Sequence, residues 1–135
     1  MPSTAAPRRI AIVEDDVAVL HSLQFALEAE GYAVESFERA AEALAKLNAG
    51  TVDCLVIDYA LPDLDGTSLL KTWRAHGVTA PAIIIASNPT ARCWREAAEA
   101  KVPVLEKPLL GDELTRRLQA LFNGQASQGG PVGES

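Results

Sequence analysis

Several short apolar runs punctuate this chain and stop abruptly at a charged or hydroxyl-bearing residue. Ile10-Ala11-Ile12-Val13 is followed by Glu14-Asp15-Asp16, and Cys54-Leu55-Val56-Ile57 by Asp58. Runs of this length, apolar on successive positions, read as parallel strands buried on both faces, each delivering its last residue to a surface crevice. The pattern predicts strands at 9–13, 33–37, 52–57, 82–86 and 103–106.

Helical periodicity fills the gaps. A first helix over about 16–30 places Val17, Leu20, Leu23 or Gln24, and Leu27 on one face, with Gly31 ending it. A second, about 39–48, repeats Ala40, Ala43, Leu44 and Leu47. A third, about 66–76, offers Leu69, Leu70 and Trp73. A fourth is expected to begin at Asn88-Pro89, a capping residue followed by proline at the first helical position. A fifth opens at Asp112 and buries Leu114, Leu118 and Leu121. His21, His76 and Trp94 fall on outer helix faces in this reading, and Trp73 partly in the core.

Five strands alternating with five helices imply an α/β fold, a doubly wound parallel sheet covered on both faces. A flavodoxin-like strand order, 2-1-3-4-5, sets strands 1 and 3 side by side at the switch point where ligands bind. Glu14, Asp15 and Asp58 make chemical sense together in that order. Residues 1–7 read as a loose leader, 8–122 as the single domain, and 123–135, rich in Gly, Gln and Ser, as a flexible tail.

Composition narrows the class. At 135 residues and 48% hydrophobic content the chain suits one compact domain. A net charge of −6 disfavours direct binding of nucleic acid or of an anionic membrane. Cys54 and Cys93 lack a CxxC spacing and read as reduced thiols. No signal peptide or membrane span can be built from the N-terminal residues, so a cytoplasmic location is expected.

The acids carry the chemistry. Carboxylates about 5 Å apart repel by roughly 3 kcal/mol at an effective dielectric near 20, so such a cluster calls for a cation or a proton. Oxygen ligands without histidine point to Mg²⁺. Asp16 reads as the cap of the first helix, and Asp63 and Asp65 as turn and N-cap residues ahead of Gly66.

Four pieces follow in order: Glu14-Asp15, Asp58 within Asp58-Tyr59-Ala60-Leu61-Pro62-Asp63, Ser87 after Ile83-Ile84-Ile85-Ala86, and Lys107-Pro108. Together they resemble the receiver domain of bacterial two-component response regulators, of the kind seen in chemotaxis regulators. The resemblance implies a phosphoprotein of phosphorelay signal transduction, not a dedicated enzyme. It implies that Asp58 accepts a phosphoryl group from a sensor histidine kinase or histidine phosphotransfer protein. It also implies Mg²⁺ held by Asp15, Asp58 and the backbone carbonyl of Ala60, with Glu14 reaching the ion directly or through water. Ser87 would hydrogen-bond a phosphoryl oxygen, and Lys107 would pair with Asp58 and then with the phosphate. The Lys107-Pro108 bond is often cis in such domains.

Three departures stand out. Val104 occupies the position of the usual switch aromatic, so output is expected through the fourth helix and its flanking loops, 88–102. Asn88 follows Ser87 where Ala or Gly is usual. Ala60 and Pro89, at the two positions that tune hydrolysis in these domains, cannot orient a water, which predicts a long-lived phospho-Asp58.

The stand-alone receiver is the leading expectation, because only about a dozen residues follow Phe122, too few for a helix-turn-helix. The competing reading is a receiver module cut from a larger hybrid kinase or multidomain regulator; the string Pro103-Val104-Leu105-Glu106-Lys107-Pro108 has the flavour of receivers attached to hybrid kinases. A magnesium-dependent phosphatase commonly needs a second Asp two residues after the nucleophile, and here that residue is Ala60. A homodimer through helix 4, strand 5 and helix 5 is an expectation, with Arg92, Arg95, Arg116 and Arg117 meeting Glu96, Glu99 and Glu113.

Overall fold

The computed structural model describes residues 6–109 and 112–127. Five strands, β1 (Arg9–Val13), β2 (Ala33–Phe37), β3 (Cys54–Asp58), β4 (Ala82–Ala86) and β5 (Val104–Glu106), pair in parallel in the order β2-β1-β3-β4-β5. Five helices connect or follow them: α1 (Val17–Ala29), α2 (Ala40–Lys46), α3 (Gly66–Ala75), α4 (Ala91–Ala100) and α5 (Glu113–Ser127). This is the expected doubly wound, flavodoxin-like fold.

The central strands separate two cores because successive side chains point to opposite faces. Ala11, Val13, Leu55, Ile57 and Ile84 face one core, which Leu69, Leu70, Trp73 and Cys93 complete from the helices. Ile10, Ile12, Val56, Ile83 and Ile85 face the other, closed by Leu20, Leu23 and Leu27 of α1 and Leu114 and Leu118 of α5. Burying each such Leu or Ile contributes about 1.5–3 kcal/mol. Cys54 and Cys93 are free and buried, and burial pushes the Cys54 thiol up to about 12, so it behaves as an apolar side chain.

Several sequence expectations shift. Val17 and Leu44 are exposed at 43% and 38%, because each sits at the edge of its helix's apolar stripe. Trp73 is fully in the core rather than partly, whereas Trp94 is exposed as expected. β3 begins at Cys54, two residues late, since Asp53 instead accepts the Arg9 N–H at 2.7 Å. β5 is a residue shorter than expected. α2 ends at Lys46, ahead of a single 3-10 turn at Ala49–Thr51. α4 does not start at Asn88-Pro89: Asn88 takes a left-handed conformation (φ 47°), and Thr90 caps the helix by accepting the Cys93 N–H at 3.1 Å. Asn tolerates that conformation better than most residues, and the turn it makes postpones the helix.

α5 continues to Ser127, past the expected domain end at 122. Most of the expected leader, 1–5, and of the expected tail, 128–135, lies outside the described residues.

Candidate functional site

The pairing register brings the four sequence pieces together. β1 and β3 pair Val13 with Ile57, so the next residues, Glu14 and Asp58, emerge side by side at the strand ends. β4 and β5 pair Ala86 with Glu106, which delivers Ser87 and Lys107 as neighbours, and the Lys107 N–H donates to Ala86 O at 2.8 Å. An open cavity of about 260 Å³ is lined by Glu14, Asp15, Asp58, Ala60, Ser87 and Lys107, with Tyr59 at its wall. All six predicted site residues therefore meet in one place.

Glu14 is fully buried and Asp58 is 2% exposed, while Asp15 and Ser87 are exposed. Both oxygens of Glu14 are engaged: Oε1 accepts from Lys107 Nζ at 3.0 Å, and Oε2 from the Asp16 N–H at 3.0 Å. Lys107 Nζ also lies 3.4 Å from Asp58 Oδ1. Burial, reinforced by the neighbouring Glu14, holds the Asp58 carboxyl well above the usual carboxylate range, with Lys107 opposing. Burial alone would lower the Lys107 ammonium, but Glu14 and Asp58 outweigh it and the net shift is upward. The Lys107-Pro108 peptide bond is cis.

Glu14, Asp15 and Asp58 each offer a carboxylate oxygen, and these oxygens lie within 4.8 Å of one another. Two of the three acids are buried, where uncompensated negative charge is costly, so the donor set fits a hard divalent cation. One ammonium cannot neutralise three carboxylates.

Asp16 caps α1 as expected, accepting the Ala18 and Val19 N–H groups at 3.0 and 3.2 Å. Asp63 lies in the bend ahead of α3 and Asp65 at its N-cap position, as expected, but their side chains reach other partners. Asp63 accepts the N–H groups of Ala40 and Ala41 at 3.0 and 2.9 Å, capping α2 across the fold. Asp65 occupies the N-cap position of α3 without a side-chain cap bond and pairs with Arg92 at 3.0 Å instead. A contact the sequence did not reveal joins Tyr59 and Thr67 to Glu96. Within the chain, Arg92 pairs with Glu96 at 2.9 Å and Arg116 with Asp112 at 3.0 Å.

A second cavity, about 480 Å³, runs from Ser87 and Lys107 along Asp16, Val19, Ser22 and Leu23 of the α1 region. Among the described residues no helix is long and apolar enough to cross a membrane.

An acidic triad, a hydroxyl and a lysine therefore share one cavity at adjoining strand ends. The profile of the response regulator receiver domain family matches residues 10–119, and the chain belongs to that family. It is 34% identical over 131 residues to the transcriptional regulatory protein PhoP of Escherichia coli, covering 89% of this chain and 56% of that protein. The virulence transcriptional regulatory protein PhoP of Salmonella typhimurium is equally similar, 34% identical across 89% of this chain and 55% of its own. The chain thus spans about half the length of the curated relatives it matches. Among solved structures, a CheY-like receiver domain protein from Methanospirillum hungatei superposes with a TM-score of 0.83 at 28% identity, covering 90% of this chain and 98% of that one. The receiver domain from the hybrid histidine kinase CckA gives 0.68 at 36% identity, covering 83% and 96%. Receiver domains are phosphoacceptor signalling domains of two-component systems rather than dedicated enzymes. They bind Mg²⁺ at an acidic pocket and interact with histidine kinases or phosphotransfer proteins.

Proposed function

We propose that Asp58 is the phosphoacceptor of this receiver domain and that the domain works in the cytoplasm as the phosphorylated part of a response regulator. The observation that carries the reading is the placement of one lysine, Lys107, 3.0 Å from Glu14 and 3.4 Å from Asp58, the two buried members of the acidic triad. A carboxylate oxygen of Asp58 attacks phosphorus, the bond from phosphorus to the donor's histidine nitrogen breaks, and an acyl phosphate forms. The open 260 Å³ cavity that Asp58 lines offers a partner's phosphohistidine its approach.

Asp15, Asp58 and the Ala60 carbonyl would hold Mg²⁺ directly; Glu14, with both oxygens engaged, suits contact through water. The ion's contribution is to neutralise charge on the transferring phosphoryl group. Ser87 would donate its hydroxyl to a phosphoryl oxygen. Lys107 would exchange its bond to Asp58 for one to the phosphate, retaining Glu14 as its anchor.

The donor is a sensor histidine kinase or a histidine phosphotransfer protein. Output runs by phosphorylation-dependent protein contacts or by passing the phosphoryl group onward, without direct binding of nucleic acid. A homodimer through α4, β5 and α5 belongs to the same reading. The test is incubation with Mg²⁺ and a small-molecule phosphodonor followed by intact-mass measurement. The wild-type chain should gain one phosphoryl group and Asp58→Asn none; equal labelling of both would refute the assignment.

A further inference from the structure

Glu96 on α4 gathers three donors in a cluster that the phosphoacceptor reading does not use. Its Oε1 accepts from the Tyr59 hydroxyl at 3.0 Å and from the Thr67 hydroxyl at 2.8 Å. Its Oε2 accepts from Arg92 Nε at 2.9 Å, and Arg92 reaches on to Asp65 at 3.0 Å. With its side chain only 17% exposed, Glu96 is fixed in place by these bonds. Burial and the bond to Glu96 push the Tyr59 hydroxyl up to about 12, so it remains a donor.

Tyr59 directly follows Asp58 and directly precedes Ala60. Its backbone is pinned on both sides: its N–H donates to Ile85 O at 2.8 Å, and its carbonyl accepts from the Gly66 N–H at 2.8 Å. The segment from Asp58 to Ala60 is therefore a stiff piece of chain whose tyrosine hydroxyl is bonded to a different helix. A displacement at Asp58 or at the Ala60 carbonyl has a bonded route to α4 that bypasses β5. That matters because Val104, half-buried on β5, has no ring to move.

We propose that Tyr59 and Glu96 are a positioning pair that couples occupancy of the Asp58 site to the setting of α4. The inference rests on the reading of Asp58 and Ala60 given above. Energetic coupling of this kind needs contiguous groups with two arrangements, and it acts equally in both directions.

The experiment records backbone amide spectra of the full chain with and without Mg²⁺ plus beryllofluoride, an acyl-phosphate mimic. In the wild type, amides at Asp15 and Asp58 and those of 91–100 should all move. In Tyr59→Phe, which deletes one hydroxyl, the ligand-induced changes in 91–100 should fall at least about twofold while those at Asp15 persist. Glu96→Ala should behave likewise, and Glu96→Gln, retaining an acceptor oxygen, should restore part of the response. Thr67→Val removes the other donor to the same oxygen without touching the Asp58 segment, so the response of α4 should survive. Full responses in both Tyr59→Phe and Glu96→Ala would overturn the inference. So would equal losses in Tyr59→Phe and Thr67→Val, which would assign the cluster to packing of α3 on α4. A wild-type chain whose Asp15 and Asp58 amides never respond would instead bring down the reading of the site itself, and the coupling with it.

Discussion

The ammonium of Lys107 lies closer to Glu14, at 3.0 Å, than to Asp58, at 3.4 Å. Glu14 is fully buried, so Lys107 is the counter-charge that makes its ionised form tolerable. Lys107→Met would leave that carboxylate without its counter-charge, with only the Asp16 N–H still bonded to it, and is expected to cost about 3 kcal/mol of stability. The double variant Lys107→Met/Glu14→Gln should recover much of the loss. Urea unfolding of the three proteins checks this; a single variant as stable as the double would contradict it.

Gly66 packs its Cα against the carbonyl of Asp58. A Cβ there would fall 2.3 Å from that oxygen and 3.0 Å from its carbon, and both neighbours are backbone. Gly66→Ala is therefore expected to destabilise by about 1–3 kcal/mol and to displace Asp58, lowering the rate of phosphoryl acceptance. Gly124, within α5, has open space around the same position, so Gly124→Ala should stabilise by about 0.7 kcal/mol. Opposite signs in thermal melts would separate steric contact from helix propensity.

The strands and the site were legible for one reason: a strand buried on both faces writes itself as an unbroken apolar run, and its terminal polar residue marks the crevice. Asp58 was readable in this way, whereas Lys107, which follows the exposed Glu106 of a short strand, came from the resemblance. The start of α4 was not, because Asn88-Pro89 satisfies the local signature of a helix entrance, and only the left-handed backbone at Asn88 defers the cap to Thr90. Asp63 was read correctly as a turn residue, but its partners stayed hidden for a different reason. Its partners, Ala40 and Ala41, lie more than twenty positions earlier, and no local spacing carries that contact. The Tyr59–Glu96 bond, between residues 37 positions apart, was equally invisible.

Acid should weaken the fold through Glu96 and Asp63. Arg92 first, then Thr67 and Tyr59, pull Glu96 from its ordinary 4.5 to about 2. The Ala41 and Ala40 N–H groups likewise lower Asp63, against a smaller desolvation effect. A depressed carboxylate binds fewer protons in the folded state than in the unfolded one, so its contribution is complete above the unfolded value. That contribution fades as pH falls from about 4.5 toward 2. Denaturant midpoints across this window should slope less in Glu96→Gln than in the wild type. Parallel slopes would show that Glu96 is not held in this way.

Asp63→Ala removes the side chain that caps α2 from across the fold. Arg39, at the N-cap position itself, makes no side-chain cap bond, so the Ala40 and Ala41 N–H groups lose their acceptor. A loss of about 1 kcal/mol is expected. Hydrogen exchange should quicken in α2 while α5 stays protected; uniform quickening would point to global destabilisation instead.

Val104 and Ala60 bear on two separate properties of the phosphorylated state. Val104 packs half-buried against the core and makes no contact with the acids, so Val104→Tyr should leave phosphoryl acceptance at Asp58 intact. Complete loss of acceptance would contradict that. Lifetime depends on whether a group near the acyl phosphate orients an attacking water. Ala60 carries only a methyl, and Pro89 offers no donor or acceptor from its side chain. Phospho-Asp58 should therefore persist in purified protein with Mg²⁺, whereas Ala60→Gln, which adds an amide at the exposed rim, should shorten its life. Label lost within seconds from the wild type, or no difference between the two proteins, would mean that hydrolysis is controlled from elsewhere in the site.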